Sequence, residues 1–247
     1  MRPELAAWQW ALAAACGLLV GVSKTGVPGV GTLVVPLFIM VLPARASTGA
    51  LLPLLILGDF FAVAWYRRHA VWSHLLRLLP LAGAGVVLGF FAMGRIGDRE
   101  LKYVLGALVL VLQALSLWRS ARSRGEPTGA GAWWLAAALG VLAGVTTMMA
   151  NAAGPIMLVY LLTMQLPKNE FLGTSAWFFL CINLFKVPFS AFLGLITPSS
   201  LLFDLALSPA VVAGAFVGVF LARRIPERVF GLIVQVLTAA AAAKLFF

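Results

Sequence analysis

Two short stretches interrupt the apolar sequence with groups suited to holding an anion. The first, Ser23-Lys24-Thr25-Gly26-Val27-Pro28-Gly29-Val30-Gly31, combines two hydroxyls, one ammonium and three glycines that let backbone approach a ligand closely. The second, Thr146-Thr147-Met148-Met149-Ala150-Asn151-Ala152-Ala153-Gly154-Pro155, offers hydroxyls and an amide but no charge. A helix that starts just after such a break presents N–H groups lacking intrahelical partners, and its dipole favours negative charge. Converging, the two breaks would make a donor-rich, net positive pocket for a small anion. The candidate ligands are Ser23, Lys24, Thr25, Gly26, Gly29 and Gly31 from the first break, and Thr146, Thr147, Asn151 and Gly154 from the second.

Three ionisable residues stand in or beside apolar runs away from loops: Lys24, Asp59 and Lys186. A charge at the centre of a membrane span costs about 2.5–3.5 kcal/mol on insertion scales, so each should face protein or water. Asp59, with Asn183 as its counterpart further along the chain, is expected to be either a proton carrier that couples transport or the ion-pair partner of Lys24 or Lys186. Lys186, two residues before Pro188, takes part in the site or snorkels to an interface. His69 and His74 lie in a basic loop flanked by Trp65, Tyr66 and Trp72, as in an interfacial aromatic belt. Trp177, Phe178 and Phe179 could line a cavity but read more simply as core. Neither a metal-ligand cluster, a nucleophile–base pair nor a carboxylate dyad is visible, and no cofactor is expected. Gly26 to Gly31 lacks the Lys-Ser/Thr ending of a phosphate loop and has no strand before it, which argues against nucleotide.

The elements carrying these residues are helices in lipid. The chain is 62% hydrophobic and 11% charged over 247 residues, with a mean hydropathy of +1.03; soluble domains carry about 25% charged residues. Sustained polar–apolar alternation, the mark of a membrane barrel, is missing. The net charge of +10 falls in short loops, a pattern of membrane orientation rather than nucleic-acid binding. Cys16 and Cys181 lie in apolar runs as packing residues. The N-terminal run resembles a signal peptide but continues through Gly21 and has an internal counterpart, so we read it as a retained helix.

That counterpart belongs to a duplication. Gly17, Gly21 and Gly31 recur as Gly140, Gly144 and Gly154, shifted by 123 positions; Pro43, Gly49 and Asp59 recur as Pro167, Gly173 and Asn183, shifted by 124. Pro80, Gly85 and Gly89 recur as Pro209, Gly214 and Gly218, and Arg95–Arg99 as Arg224–Arg228, both shifted by 129. Apolar runs cover about 5–22, 31–42, 47–66, 73–94 and 100–118, then 133–145, 153–164, 171–192, 203–222 and 229–247. The runs 31–42 and 153–164 are too short to cross about 30 Å of hydrocarbon and follow the breaks, so each should be a half-length helix meeting its predecessor within the membrane. The expected fold is therefore an all-α polytopic membrane protein of two homologous repeats, with about 8–10 transmembrane segments including broken or half-length helices. The first repeat spans 1–118, a cytoplasmic linker 119–132 and the second repeat 133–247. Arg67, Arg68 and Arg77 have no basic counterparts near 193–204, and Lys24 matches Thr147; this asymmetry favours inverted repeats. The basic residues of Arg95–Lys102 and Arg223–Arg228 argue the other way.

These residues resemble a known family. Ser23–Gly31 with Thr32-Leu33-Val34-Val35-Pro36-Leu37 and Ser47-Thr48-Gly49 is similar to the first-repeat signature of the sulfite exporter TauE/SafE family. Thr146–Pro155, Leu166-Pro167-Lys168-Asn169-Glu170-Phe171-Leu172-Gly173-Thr174 and Asn183-Leu184-Phe185-Lys186-Val187-Pro188 resemble the second. The resemblance implies a multi-pass permease of the cytoplasmic membrane, moving sulfite, sulfonates or related sulfur anions, commonly outward, and usually with about eight spans. The expected function is secondary transport by alternating access at a midplane site, and not enzymatic. An anion channel, an intramembrane enzyme and a non-transporting scaffold are the alternatives. The expected partners are a small anion and the bilayer, not nucleic acid; self-association stays open.

Overall fold

Proline and glycine set where the helices begin and end. The computed structural model describes residues 5–95, 97, 133–226 and 229, and every regular element among them is helical. In order these are α1 (Ala7–Thr25), a 3-10 turn (Val30–Leu33), α2 (Val34–Ile39), α3 (Ala44–Tyr66) and α4 (Trp72–Met93). Then come α5 (Trp133–Ala150), α6 (Gly154–Thr163), α7 (Lys168–Phe192) and α8 (Pro198–Arg224). Helices α3 and α7 start directly after matched prolines, Pro43 and Pro167, both held in extended backbone. At the start of α8, Thr197 accepts from the Ser200 N–H, with Pro198 in the first turn where its missing N–H costs nothing. The expected linker and the runs 100–118 and 229–247 lie outside the described residues, apart from Val229.

Four of these segments are long and apolar enough to cross a membrane: Ala44–His69, which is α3 with a 3-10 extension, and α4, α7 and α8. Their outer faces carry exposed Leu76, Leu88, Phe91, Leu205, Phe216 and Phe220, a surface suited to lipid. The short runs are indeed short helices. In α6, Ile156 to Leu161 are buried consecutively, so this helix is surrounded by protein on all sides rather than facing lipid. It sits in a core with α4, α5 and α7, while α2 sits in another with α1, α3 and α8.

The most extensive contacts join the two halves of the chain: α1 with α8, α4 with α5, then α3 with α7. Glycine makes the first two pairings close. Gly21 lies against the backbone of Val211 to Ala215, and Gly144 against Ala82 and Gly85. Gly17 meets Ala210 while Gly140 meets Leu81; Gly218 meets Thr25 while Gly89 meets Met148. Each contact thus has a counterpart at the matched positions of the other pair. Rising numbers meet rising numbers along α1 and α8 and along α4 and α5, so both pairs run parallel. Along α3 and α7 the order reverses, with Gly49 at Leu195, Asp59 at Asn183 and Tyr66 at Gly173. These two helices, matched in sequence, run antiparallel.

A Cβ added at Gly21 or Gly144 would fall well inside contact distance of the facing backbone, whereas one at Gly83 would meet only Phe185, at 3.7 Å. Gly21→Ala and Gly144→Ala are expected to destabilise the protein by about 1–3 kcal/mol each, and Gly83→Ala to leave it unchanged. Thermal unfolding in detergent checks this; equal midpoints for all three variants would refute close glycine packing.

Candidate functional site

Both breaks are shorter than their sequences suggest. Helix α1 continues through Ser23, Lys24 and Thr25, leaving Gly26–Gly29 as its break, and α5 continues through Ala150, leaving Asn151–Ala153. Helical phase then sorts the candidates. Thr25 turns away from the break: its hydroxyl donates to the carbonyls of Ala215, at 2.6 Å, and Gly21, and it is fully buried between α1 and α8. Thr146 donates to Leu142 and Ala143 carbonyls of its own helix. Gly26 packs on the backbone of Gly218. These three serve helix packing.

The others converge. A cavity of about 280 Å³ is lined by Ser23, Lys24, Gly29 and Gly31 from the first break and by Thr147, Asn151 and Gly154 from the second. Asp59 and Asn183 also line it, as do Phe171, Ser175, Ala176 and Phe179 of α7. The chain reverses at the first break through Gly29, whose φ of 101° suits glycine. Gly31 donates its N–H to Ser23 Oγ at 2.9 Å, and a Cβ there would lie 2.6 Å from that oxygen. The expected row of free N–H groups after the first break is therefore not present: the chain enters a 3-10 turn, and Ser23 takes the Gly31 N–H. At the second break Asn151 adopts a left-handed conformation, φ 55°, which its side chain tolerates better than most, and α6 opens at Gly154 towards the cavity.

One continuous polar chain ties four helices around this space. Lys24 Nζ lies 2.8 Å from Asp59 Oδ1, and Asn183 Nδ2 donates to Asp59 Oδ2 at 2.7 Å. Lys186 Nζ donates to Asn183 Oδ1, to the Thr147 hydroxyl and carbonyl, and to Asn151 Oδ1 at 2.6 Å. Asn151 Nδ2 in turn donates to the Thr48 carbonyl of α3 at 2.9 Å. Asp59 is fully buried, and Lys186 is 1% exposed. Lys186 thus neither snorkels nor lines the cavity; it holds the C-terminal end of α5 and the left-handed Asn151. Lys24 has Asp59 on one side and the Phe179 ring at 4.0 Å on another, and both Lys24 and Phe179 line the cavity.

Several residues were less visible in sequence. Phe171, Ser175, Phe179 and Asn183 recur every four residues along α7 and form one cavity-facing stripe, a periodicity that marks them together. Of the three aromatics read as core, Phe178 is core and Phe179 is wall. His74 belongs to α4 rather than to a loop and shares a 2.7 Å hydrogen bond with the Tyr160 hydroxyl of α6, while His69 is exposed in the turn. Lys168 donates to the Ala222 carbonyl and to the Ile225 carbonyl, at 2.6 Å for the latter, closing the end of α8.

A family model, that of the sulfite exporter TauE/SafE, matches residues 13–245, nearly the whole chain and both breaks. The chain belongs to the sulfite exporter TauE/SafE family. No curated protein and no solved structure gives a significant match. As a TauE/SafE protein with four helices fit to span a bilayer among its described residues, it is an integral membrane protein of a transporter family.

Removing one partner of a buried ion pair is strongly destabilising because the other charge stays uncompensated. Asp59→Asn is expected to lower stability by about 3–5 kcal/mol. The double variant Lys24→Met, Asp59→Leu should recover most of that loss, since it removes both charges. Thermal unfolding of the three proteins decides it; a double variant no more stable than Asp59→Asn would contradict the pairing.

Proposed function

We propose that this TauE/SafE protein is a secondary transporter of a small sulfur oxyanion, of the sulfite or organosulfonate class, in the cytoplasmic membrane. The observation that carries the reading is a cavity walled by both helix breaks, with Lys24 among its lining residues. Lys24 supplies the charge. Thr147, Asn151 and the start of α6 on the opposite wall supply polar contacts, and Ser23, Gly29 and Gly31 shape the reversal that brings backbone close. An anion entering would join Asp59 as a second neighbour of Lys24.

The halves are read as inverted repeats. The antiparallel course of α3 and α7 and the matched glycine contacts of α1–α8 and α4–α5 support this. Two related halves meeting at a central site can rock against each other and expose the cavity to one side at a time. Energy then comes from an ion gradient or from the anion's own gradient. A channel of the same architecture would conduct without saturation, so saturable counterflow separates the two.

Two outcomes are expected in proteoliposomes. Lys24→Met combined with Asp59→Leu, which leaves no uncompensated charge, abolishes or severely weakens sulfite binding while the protein still inserts; unchanged apparent affinity would defeat the site. In a chain freed of Cys16 and Cys181, cysteines at Ser23 and Ser175 are shielded by sulfite from a small thiol reagent, whereas a cysteine at Thr25 stays unreactive throughout. Shielding at neither cavity position would place the substrate elsewhere.

A further inference from the structure

Asp59 is not the one carboxylate buried within the described helices. Asp204, in the second turn of α8, is 5% exposed, and neither of its carboxylate oxygens has a hydrogen-bond partner. This contrasts with Asp59, which is engaged by both Lys24 and Asn183. The matched position in the first half is Leu75, so Asp204 is no part of the shared architecture.

Among the described residues no charged side chain offsets Asp204. Of the helices packed on α8, α1 carries Cys16 and, at its far end, Lys24; α3 carries Arg45 at its start and Asp59 and Tyr66 further along. Helix α2 carries no titratable residue, and the arginines of α8, Arg223 and Arg224, lie at its opposite end. A bare carboxylate in such surroundings is costly unless a positive charge joins it. Among the described residues no group of His, Cys, Asp or Glu gathers there as metal ligands, whereas a proton needs only the carboxylate itself. Open space lies beside the start of α8, one turn away from Asp204. A groove of about 470 Å³ is lined by Arg45, Thr197, Ser199, Ser200 and Phe203, and Ser200 stands one helical turn before Asp204 on the same face.

We propose that Asp204 binds a proton and is the site through which proton movement is coupled to anion movement. The coupling part rests on the transport reading above. The position fits the task. Phe203, adjacent in sequence, packs its ring against Phe38 of α2 and Trp10 of α1, the two helices that flank the first break. Helix α8 also follows α1 along the glycine seam as far as Thr25, next to Lys24. Charging or neutralising Asp204 alters the cost of keeping this part of α8 buried against the elements that hold the anion site.

The test pairs two measurements on the full-length protein. In proteoliposomes, Asp204→Asn should continue radiolabelled-sulfite counterflow, since no cavity residue is touched, but lose uptake driven by a pH gradient. On wild-type protein, dicyclohexylcarbodiimide, which adds to protonated carboxyl groups in apolar surroundings, should label Asp204, with labelling falling as pH rises. Wild-type pH-driven uptake in Asp204→Asn, or uptake driven by sodium instead, overturns the coupling. Absence of pH-dependent labelling overturns the proton site, and does so even where the variant fails to fold. Absence of sulfite counterflow in the wild type would instead count against the transport reading, and the labelling would still judge Asp204.

Discussion

The buried pairing of Lys24 with Asp59 is the constraint around which the centre of this protein is organised. An ammonium on α1 and a carboxylate on α3 cannot be held away from water separately. Their pairing fixes the end of α1 against α3, and Asn183 extends the hold to α7. Lys186 carries it on to the end of α5, and Asn151 returns it to α3. Four helices from both halves of the chain are thus tied through polar atoms, at the level where two of them end and the chain turns back.

The breaks are possible because of that tie. Backbone that leaves the helix inside a membrane must find partners in protein or in a cavity. Ser23 takes the Gly31 N–H on one side, and Lys186 takes the Thr147 carbonyl on the other. What remains open between the two turns is the cavity, bounded by Lys24 as its cationic wall. Close glycine packing joins α1 to α8 and α4 to α5, and neither α4 nor α8 lines the cavity.

Much of this was legible in the sequence, because membrane helices reveal themselves by length and apolarity and matched glycines recur at offsets of 123 to 129 positions. The breaks and the short helices followed from the same signals, while the pairing of Asp59 with a lysine was one of two readings open at that point. Helical phase within the breaks did not. Thr25 and Thr146 are chemically equivalent to Ser23 and Thr147, and only the continuation of α1 and α5 by a few residues turns them into the packing seams. Lys186 lies outside both breaks, and its role at the end of α5 depends on α7 crossing there, a tertiary fact with no local mark. Asp204 passed unnoticed for a similar reason: near the start of an apolar run it looks solvated, and only the packing of α1 and α3 shows that it is buried.

The central claim is that a small oxyanion sits between the two breaks within reach of Lys24. Selenite, the selenium counterpart of sulfite, scatters X-rays anomalously and can be located directly in crystals of the protein. The account predicts one anomalous peak in the cavity, within hydrogen-bonding distance of Lys24 Nζ and bordered by Ser23, Thr147 and Asn151. A peak confined to the groove beside Arg45, or to a second pocket lined by His69, Lys168 and Arg223, with the central cavity empty, would contradict it.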